Sequence, residues 1–197
     1  AHAIYAVRST IDYYVSRNSN VNLCALDLSK AFDKMSHYGL FVKLMERHIP
    51  VNLLKILEMW FQTGITCVKW GNIFSNFYQL NCGIRQGGVL SPYLFAVYID
   101  SVIDRVRKSR VGCEINLANI GILMYADDIL LLAPTVTALQ TMLNICEVEL
   151  AWLDMTINPA KSVCLRIGPN WNSVPACIST LNGAVISWQQ SFRYLGV

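Results

Sequence analysis

The chain has 197 residues, of which 54% are hydrophobic and 15% are charged, so its composition excludes global disorder and predicts one packed domain. The longest apolar run, 120–134, carries two aspartates, and no basic segment followed by an apolar block opens the chain. We therefore expect no membrane partner and an intracellular protein of the nucleus or cytoplasm. The net charge is +3, but residues 111–160 hold six acidic residues and no Lys or Arg, which favours a bound cation there and a polyanion elsewhere.

Hydrophobic periodicity predicts helices, one buried strand and one hairpin in the first half of the chain. The predicted helices are 3–17, 38–48 and 51–62, and the predicted strands are 21–28, 65–70 and 73–80. Pro50 separates two of the helices, and Gly71 with Asn72 forms the expected hairpin turn.

The second half begins with a glycine-rich loop at 82–88 and a predicted helix, 91–107. Strands are predicted at 117–125, 129–133, 162–167, 177–181 and 184–188, with a helix at 137–153. The first two strands form a tight hairpin with Asp127 and Asp128 at its tip, and Asn182–Gly183 is a strong hairpin signal. The predicted fold class is α+β with an antiparallel sheet packed by helices.

Asp127 and Asp128 are adjacent, and the nearest basic residues in the sequence are Arg110 and Lys161. Two carboxylates about 4 Å apart repel by about 4 kcal/mol at an effective dielectric constant of 20. Water, a distant basic residue or a divalent cation could offset this repulsion. An inert, solvated Asp-Asp turn is the alternative.

Asp27 lies at the end of the predicted strand 21–28. It either caps the following segment or provides a third carboxylate, brought beside the hairpin tip by strand pairing. Three aspartates can hold two metal ions that clamp the attacking and leaving oxygens of a phosphoryl displacement.

Five segments, in this order, resemble the palm of a reverse transcriptase, most closely that of non-LTR (LINE-type) retrotransposons. They are LDLSKAFD at 26–33, GIRQGGVLSPYLF at 83–95, YADD at 125–128, NPAK at 158–161 and YLG at 194–196. The resemblance implies a palm-type sheet with partial fingers and no thumb, and a single partial reverse transcriptase domain over 1–197. It also implies further fingers and thumb segments outside this range, so we expect weak or no primer extension by residues 1–197 alone.

The implied activity is that of an RNA-directed DNA polymerase, a nucleotidyltransferase that adds dNTPs to a DNA primer 3′-hydroxyl on an RNA template. Two Mg²⁺ ions, or Mn²⁺ as a substitute, are implied, with Asp27, Asp127, Asp128 and the Leu28 carbonyl as ligands. Lys161 resembles the general acid for pyrophosphate departure, with simple charge neutralisation as the alternative.

The resemblance also implies residues that contact the nucleotide and the primer. The implied nucleotide-binding residues are Leu28, Ser29, Lys30, Ala31, Phe32, Arg85, Gln86 and Gly87, and the implied primer-positioning residues are Tyr125, Tyr194, Leu195 and Gly196. Phe32 occupies the position of the steric gate that rejects a ribose 2′-hydroxyl, and an ordinary core phenylalanine is the alternative. Arg85 reaches phosphate or template, or makes a surface salt bridge.

Three other readings stay open at this point. An RNA-dependent RNA polymerase shares the palm, although Phe32 and Tyr125 favour DNA synthesis. A group II intron or retron enzyme shares it as well. A decayed or domesticated palm that binds nucleic acid without catalysis belongs to a different class. The sequence leaves the oligomeric state open.

Overall fold

The computed structural model describes residues 2–196, and the chain divides into two compact units. The first, the sheet unit, comprises residues up to Ser29 and from Ile99 onward. The second, the helical unit, comprises Lys30–Tyr98. The chain is a mixed α and β structure with a mainly antiparallel sheet, so the predicted fold class is confirmed.

The helices are α1 (His2–Val15), α2 (Ala31–Lys34), α3 (His37–Glu46), α4 (Val51–Gln62), α5 (Ser91–Lys108) and α6 (Val136–Trp152). The strands are β1 (Val21–Leu26), β2 (Ile65–Thr66), β3 (Lys69–Trp70), β4 (Ile73–Phe74), β5 (Tyr78–Gln79), β6 (Glu114–Ile115), β7 (Ala118–Asn119), β8 (Ile122–Tyr125), β9 (Asp128–Ala133), β10 (Val163–Ile167), β11 (Ile178–Ser179) and β12 (Val185–Trp188).

The sheet unit is built on six strands in the order β11-β12-β10-β1-β9-β8. All neighbouring pairs are antiparallel except β10 with β12. The central strand β1 is almost wholly buried, which explains why its sequence is a near-continuous apolar run. Its registers with β10 and β9 fix which residues of three strands lie side by side.

The two faces of this sheet are packed differently. On one face, here called the carboxylate face, Leu23 and Leu130 belong to a buried cluster, and α1 packs against this cluster through Val7 and Ile11. On the other, the α6 face, Cys24 pairs with Leu131, and Cys146 of α6 is near Cys24. Since side chains alternate along a strand, Asp128 and Asp27 continue the rows of Leu130 and Leu23 on the carboxylate face.

The predicted strand 117–125 is wrong in its first half. Residues 114–119 instead form the small β6–β7 hairpin, whose turn residues Asn116 and Leu117 both have positive φ values, 50 and 65. Two successive positive φ values are the requirement of a type I′ turn, which reverses the chain before β8 can begin. The tip of the next hairpin is also shifted by one residue, because Asp128 is already the first residue of β9.

The helical unit holds α2–α4, four two-residue strands and the start of α5. Ser36 caps α3 by accepting the Gly39 N–H, and Pro50 precedes the first residue of α4. The predicted hairpin around Gly71 is present as two separate ladders, β3–β4 and β2–β5. Every residue of α4 is exposed or half-buried, so this unit buries less of its apolar surface than the sheet unit does.

Within residues 2–196, no helix has the length and apolar character that crossing a membrane requires.

Candidate active site

The register of β1 with β9 places two of the predicted site residues side by side. Leu26 is paired with Ile129, so the next positions along the two strands are Asp27 and Asp128. On the other side of β1, Ala25 is the last residue paired with β10, through Val163, and Lys161 lies in the turn that precedes β10. Asp27 therefore lies beside Asp128 where β1 and β9 end, and the turn containing Lys161 is adjacent in the fold through hydrogen bonds to the Asp27 backbone.

The backbone of Asp27 is held by the turn that precedes β10. The Asp27 N–H donates to the Ser162 hydroxyl (3.1 Å), and the Asn158 N–H donates to the Asp27 carbonyl (2.8 Å). The Ser162 hydroxyl in turn donates to the Asn158 carbonyl (2.8 Å). This triangle fixes the turn containing Lys161 beside Asp27, and it leaves the Lys161 side chain exposed.

Ser162 is a site residue that the sequence reading missed. Its side chain is 2% exposed, although a serine at the start of a strand would usually be solvated. The signal was present in the polar NPAKS turn directly before the apolar strand VCLRI. Only the fold shows that this hydroxyl accepts a hydrogen bond from the Asp27 N–H, in the place of a backbone carbonyl.

Leu28 forms an isolated antiparallel bridge with Ile157. The hydrogen bonds of this bridge run from Asn158 N–H to the Asp27 carbonyl and from Ser29 N–H to the Thr156 carbonyl (2.9 Å). In this pairing geometry the bridged residue directs its own N–H and C=O away from its partner strand. The Leu28 carbonyl is thus left out of the bonds that join these two segments, while its side chain is buried.

The YADD segment forms a two-residue hairpin. Tyr125 pairs with Asp128, so Ala126 and Asp127 are the loop. Ala126 has φ 54, in the left-handed region that costs a non-glycine residue about 1–2 kcal/mol. Such strain is common at functional sites, and here it supports the tight reversal that sets Asp127 next to Asp128. The Tyr125 side chain is 64% exposed.

The electrostatics of the site are dominated by its three carboxylates. Partial loss of hydration raises the pKa of Asp128, and the negative charges of Asp127 and Asp27 raise it further. The ion pairs Lys43–Glu46 and Arg105–Glu149 both lie outside this group of three aspartates. The repulsion expected from the sequence therefore acts on Asp128.

Within residues 2–196 no group of three His, Cys, Asp or Glu side chains is arranged as a ready metal site. The available donors are nonetheless the hard oxygen ligands that Mg²⁺ prefers, usually one or two carboxylates supplemented by substrate oxygens. A cation would also relieve the mutual repulsion that raises the pKa of Asp128. The donor chemistry therefore fits a divalent cation that is completed by further ligands.

The helical unit contains the other predicted nucleotide contacts. Ala31 is buried, and the half-buried Phe32 stacks on Phe95 with ring centroids 4.5 Å apart. The Ile84 N–H donates to the Phe32 carbonyl (2.9 Å), which joins the Phe32 segment to the glycine-rich loop. Gly83 is required there, because a Cβ atom would lie 2.7 Å from the Asp33 carbonyl oxygen.

The rest of that loop is exposed. Arg85, Gln86 and Gly87 all face solvent, and the Arg85 carbonyl accepts hydrogen bonds from the Ser91 hydroxyl (2.6 Å) and the Gly88 N–H (3.1 Å). These bonds fix the loop against the first turn of α5. Its two long polar side chains are consequently presented on a defined backbone. Lys30, which lies two residues before Phe32 and not in this loop, is exposed and has φ 53.

The YLG segment at 194–196 lies in the sheet unit. The Tyr194 side chain packs against the cluster on the carboxylate face, and burial together with Asp128 raises its pKa to about 12. Leu195 is half-buried with φ 49, and Gly196 is exposed with φ 85. Two successive positive φ values turn the chain directly after Tyr194.

The predicted site residues thus fall into two groups. The sheet unit holds Asp27, Leu28, Ser29, Tyr125, Asp127, Asp128, Lys161, Tyr194, Leu195 and Gly196. The helical unit holds Lys30, Ala31, Phe32, Arg85, Gln86 and Gly87. Each group is assembled within its own unit.

The sequence model of the family described as reverse transcriptase (RNA-dependent DNA polymerase) matches residues 2–197. The chain belongs to the reverse transcriptase family. It is 26% identical, over 89% of its length, to the retrovirus-related Pol polyprotein from type-1 retrotransposable element R2 of Nasonia vitripennis. It is 26% identical, over 87% of its length, to the RNA-directed DNA polymerase from mobile element jockey of Drosophila melanogaster. Both relatives come from non-LTR, LINE-type elements, as the motifs predicted.

The fold is similar to that of telomerase. Apo telomerase from Candida tropicalis matches with a TM-score of 0.63 at 13% identity, over 85% of this chain and 35% of that one. Telomerase from Candida albicans, in complex with a fragment of telomeric RNA, matches with a TM-score of 0.62 at 14% identity, over 92% of this chain and 32% of that one. At this identity the likeness concerns the fold.

The reverse transcriptase chain spans only part of these relatives, 18% of the R2 polyprotein and 19% of the jockey polymerase. Members of the family generally use divalent metal ions.

Proposed function

We propose that the chain is the catalytic palm of an RNA-directed DNA polymerase that extends a DNA primer on an RNA template with dNTPs, in the nucleus or cytoplasm. The observation that carries this proposal is the position of Asp27 beside Asp128 at the ends of two paired strands, with Asp127 in the adjoining turn. The family match over residues 2–197 and the retrotransposon relatives support it.

Asp27, Asp127 and Asp128, with the Leu28 carbonyl, would hold two Mg²⁺ ions, or Mn²⁺ in their place. When bound, such ions activate the primer hydroxyl and neutralise charge on the triphosphate. The chain's own contribution is a fixed backbone. The Ser162 hydroxyl and the Asn158 N–H hydrogen bond to the Asp27 backbone and fix its position, and the strained turn at Ala126 fixes the backbone position of Asp127.

Lys161 serves as the cation that receives the leaving pyrophosphate and protonates it. Its support is the turn at 158–162, which is hydrogen bonded to the Asp27 backbone, together with its exposed side chain. Tyr125 and the turn at 194–196 position the primer end. Residues 28–32 and 85–87 contact the incoming nucleotide.

The central test is primer extension by the native protein that contains this chain, with Asp127→Asn as the variant. We expect a loss of about 10³-fold in rate, equivalent to about 4 kcal/mol of transition-state stabilisation. The melting temperature should not fall, because the substitution removes a carboxylate that repels Asp128. Asp33→Asn is the matched control: it lies in the LDLSKAFD motif, is exposed, and should extend primers like the wild type.

A folded wild-type protein whose nucleotide incorporation is unaffected by Asp127→Asn would contradict the proposal. A chain that binds nucleic acid without any Asp127-dependent extension would be a non-catalytic palm.

Sugar selection is the second proposal, and it concerns Phe32. The ring stacks on Phe95 and is only half-buried, so part of its surface remains accessible to a nucleotide sugar. Phe32→Val should raise incorporation of rNTPs relative to dNTPs by about tenfold, equivalent to about 1.4 kcal/mol, because the smaller side chain leaves room for the 2′-hydroxyl. Extension assays with each nucleotide class measure this ratio.

Phe41→Val provides the comparison, since Phe41 is another half-buried ring in the helical unit and pairs edge-on with Phe61. Both variants lose aromatic packing, but only Phe32→Val should change the ratio. An equal change in both would make Phe32 a structural residue.

A further inference from the structure

The carboxylate face carries a tyrosine whose hydroxyl has no function in the packing. Tyr194 covers the buried cluster formed by Val21, Leu23, Cys113, Leu130 and Leu132. Leu130 lies two residues after Asp128 on the same strand, and therefore on the same face of the sheet. Tyr194 thus packs on the face of the sheet that carries Asp128.

The Tyr194 hydroxyl is buried and has no hydrogen-bond partner among the described residues. Leaving a buried donor unpaired costs about 1–3 kcal/mol, and a phenylalanine would pack the same ring without this cost. A buried hydroxyl at such a position is stabilised if it forms a hydrogen bond after a neighbouring side chain changes rotamer or after a ligand binds.

A second tyrosine on the same cluster shows what a structural hydroxyl looks like here. Tyr14 also packs against this cluster, but its hydroxyl accepts the Glu114 N–H (2.9 Å) and donates to the Glu114 carbonyl (3.2 Å). The two rings therefore share a surface and differ in whether the hydroxyl is satisfied. The difference singles out Tyr194.

The charged group that acts on Tyr194 is Asp128. Its negative charge adds to burial in raising the pKa of the phenol, so the hydroxyl keeps its proton at neutral pH. The Asp128 side chain is exposed and can change rotamer without displacing packed atoms. A carboxylate can only accept hydrogen bonds, and the phenol can donate one.

We propose that Tyr194 is a positioning residue: its hydroxyl donates to the Asp128 carboxylate and fixes the orientation in which Asp128 binds a divalent cation. This inference rests on the proposed function. Hydrogen bonds from neutral hydroxyls to carboxylates are short and strong, and groups that orient a metal ligand in this way commonly change metal affinity by about 10- to 100-fold. One carboxylate oxygen is held by Tyr194, and the other is left for the cation.

The test measures Mn²⁺ binding to the 197-residue chain by electron paramagnetic resonance, together with thermal unfolding. Tyr194→Phe should weaken Mn²⁺ binding about tenfold and leave the melting temperature unchanged or raised, because it removes an unpaired buried hydroxyl. Tyr14→Phe should do the opposite, lowering the melting temperature and leaving Mn²⁺ affinity as in the wild type, because its hydroxyl holds Glu114. Asp127→Asn identifies which bound Mn²⁺ belongs to the aspartates.

Wild-type Mn²⁺ affinity in Tyr194→Phe would overturn the role of Tyr194 and leave the proposed function standing. An equal loss of affinity in Tyr14→Phe would also overturn it, because a general disturbance of the cluster would then be the cause. Absence of any Asp127-dependent Mn²⁺ binding in the wild-type chain would overturn both the inference and the metal assignment on which it rests.

Discussion

The two faces of the central sheet are built from the same strands but are completed in different ways. On the α6 face, Leu131 of β9 is fully buried, as are Leu139, Met142 and Cys146 of α6. On the carboxylate face, the apolar cluster covers only the middle of the sheet, and the rows end in Asp27 and Asp128. The α6 face is covered by buried apolar side chains, whereas the carboxylate face ends in charged aspartates.

This difference shows how the sheet can be stable and still hold an unfavourable arrangement of charges. Close packing on the α6 face supplies stability that does not depend on any ligand. The carboxylate face instead keeps a strained turn at Ala126, a buried hydroxyl without a partner at Tyr194 and mutually repelling aspartates. Features of this kind persist when the surrounding structure holds them, and they concentrate at functional sites.

The largest expected effect on the free energy of unfolding comes from truncating one buried leucine on each face of the sheet. Leu131→Ala should lower the free energy of unfolding by about 3 kcal/mol, because it opens a cavity against α6. Its Mn²⁺ affinity in the folded state should equal that of the wild type. Leu130→Ala should cost a similar amount and also weaken Mn²⁺ binding, since Tyr194 packs on that side of the strand. Urea unfolding and Mn²⁺ titration measure the two quantities.

The comparison between the faces breaks if Leu131→Ala weakens Mn²⁺ binding as much as Leu130→Ala does. In that case the site would depend on the rigidity of the whole sheet and not on the packing beneath one tyrosine.

Much of this arrangement could be predicted from the sequence because its signals are local. The apolar run of β1, the period of α6 and the Asn182–Gly183 turn each depend on neighbouring residues, and all three elements are present. The prediction that strand pairing would bring Asp27 beside the YADD hairpin also followed from local signals, since strand ends bear the carboxylates. The register that sets Asp27 opposite Asp128 agrees with it.

What could not be predicted depends on residues distant in the chain. The Ser162 hydroxyl meets the Asp27 N–H across 135 positions, and no local pattern marks such a bond. The start of β8 was misplaced because Asn116–Leu117 is an unusual type I′ turn pair, with a leucine at φ 65. The unpaired hydroxyl of Tyr194 is likewise visible only once the cluster beneath it has formed.

The smallest expected effect concerns the charge on the carboxylate face, and its sign follows from Asp128. The pKa of Asp128 is raised in the folded protein above its ordinary value of 3.8, so the folded state holds this proton more tightly than the unfolded state. The contribution of Asp128 to stability is therefore fullest below the ordinary pKa and is lost as the pH rises through the raised one. Relative to the wild type, Asp128→Asn should gain stability on going from acid to neutral pH, because it removes this loss.

Urea unfolding of both proteins across that pH range, without divalent cations, measures the gain, and Asp33→Asn controls for the loss of an exposed aspartate. A stability difference that does not vary with pH would mean that neither burial nor the charges of Asp127 and Asp27 raise the pKa of Asp128 in the folded protein. Adding Mg²⁺ then sharpens the contrast, because a ligand that binds only the folded state stabilises it. The wild type should gain stability from Mg²⁺, and Asp128→Asn should gain less. The same carboxylates that destabilise the folded protein without Mg²⁺ would then stabilise it when Mg²⁺ is bound.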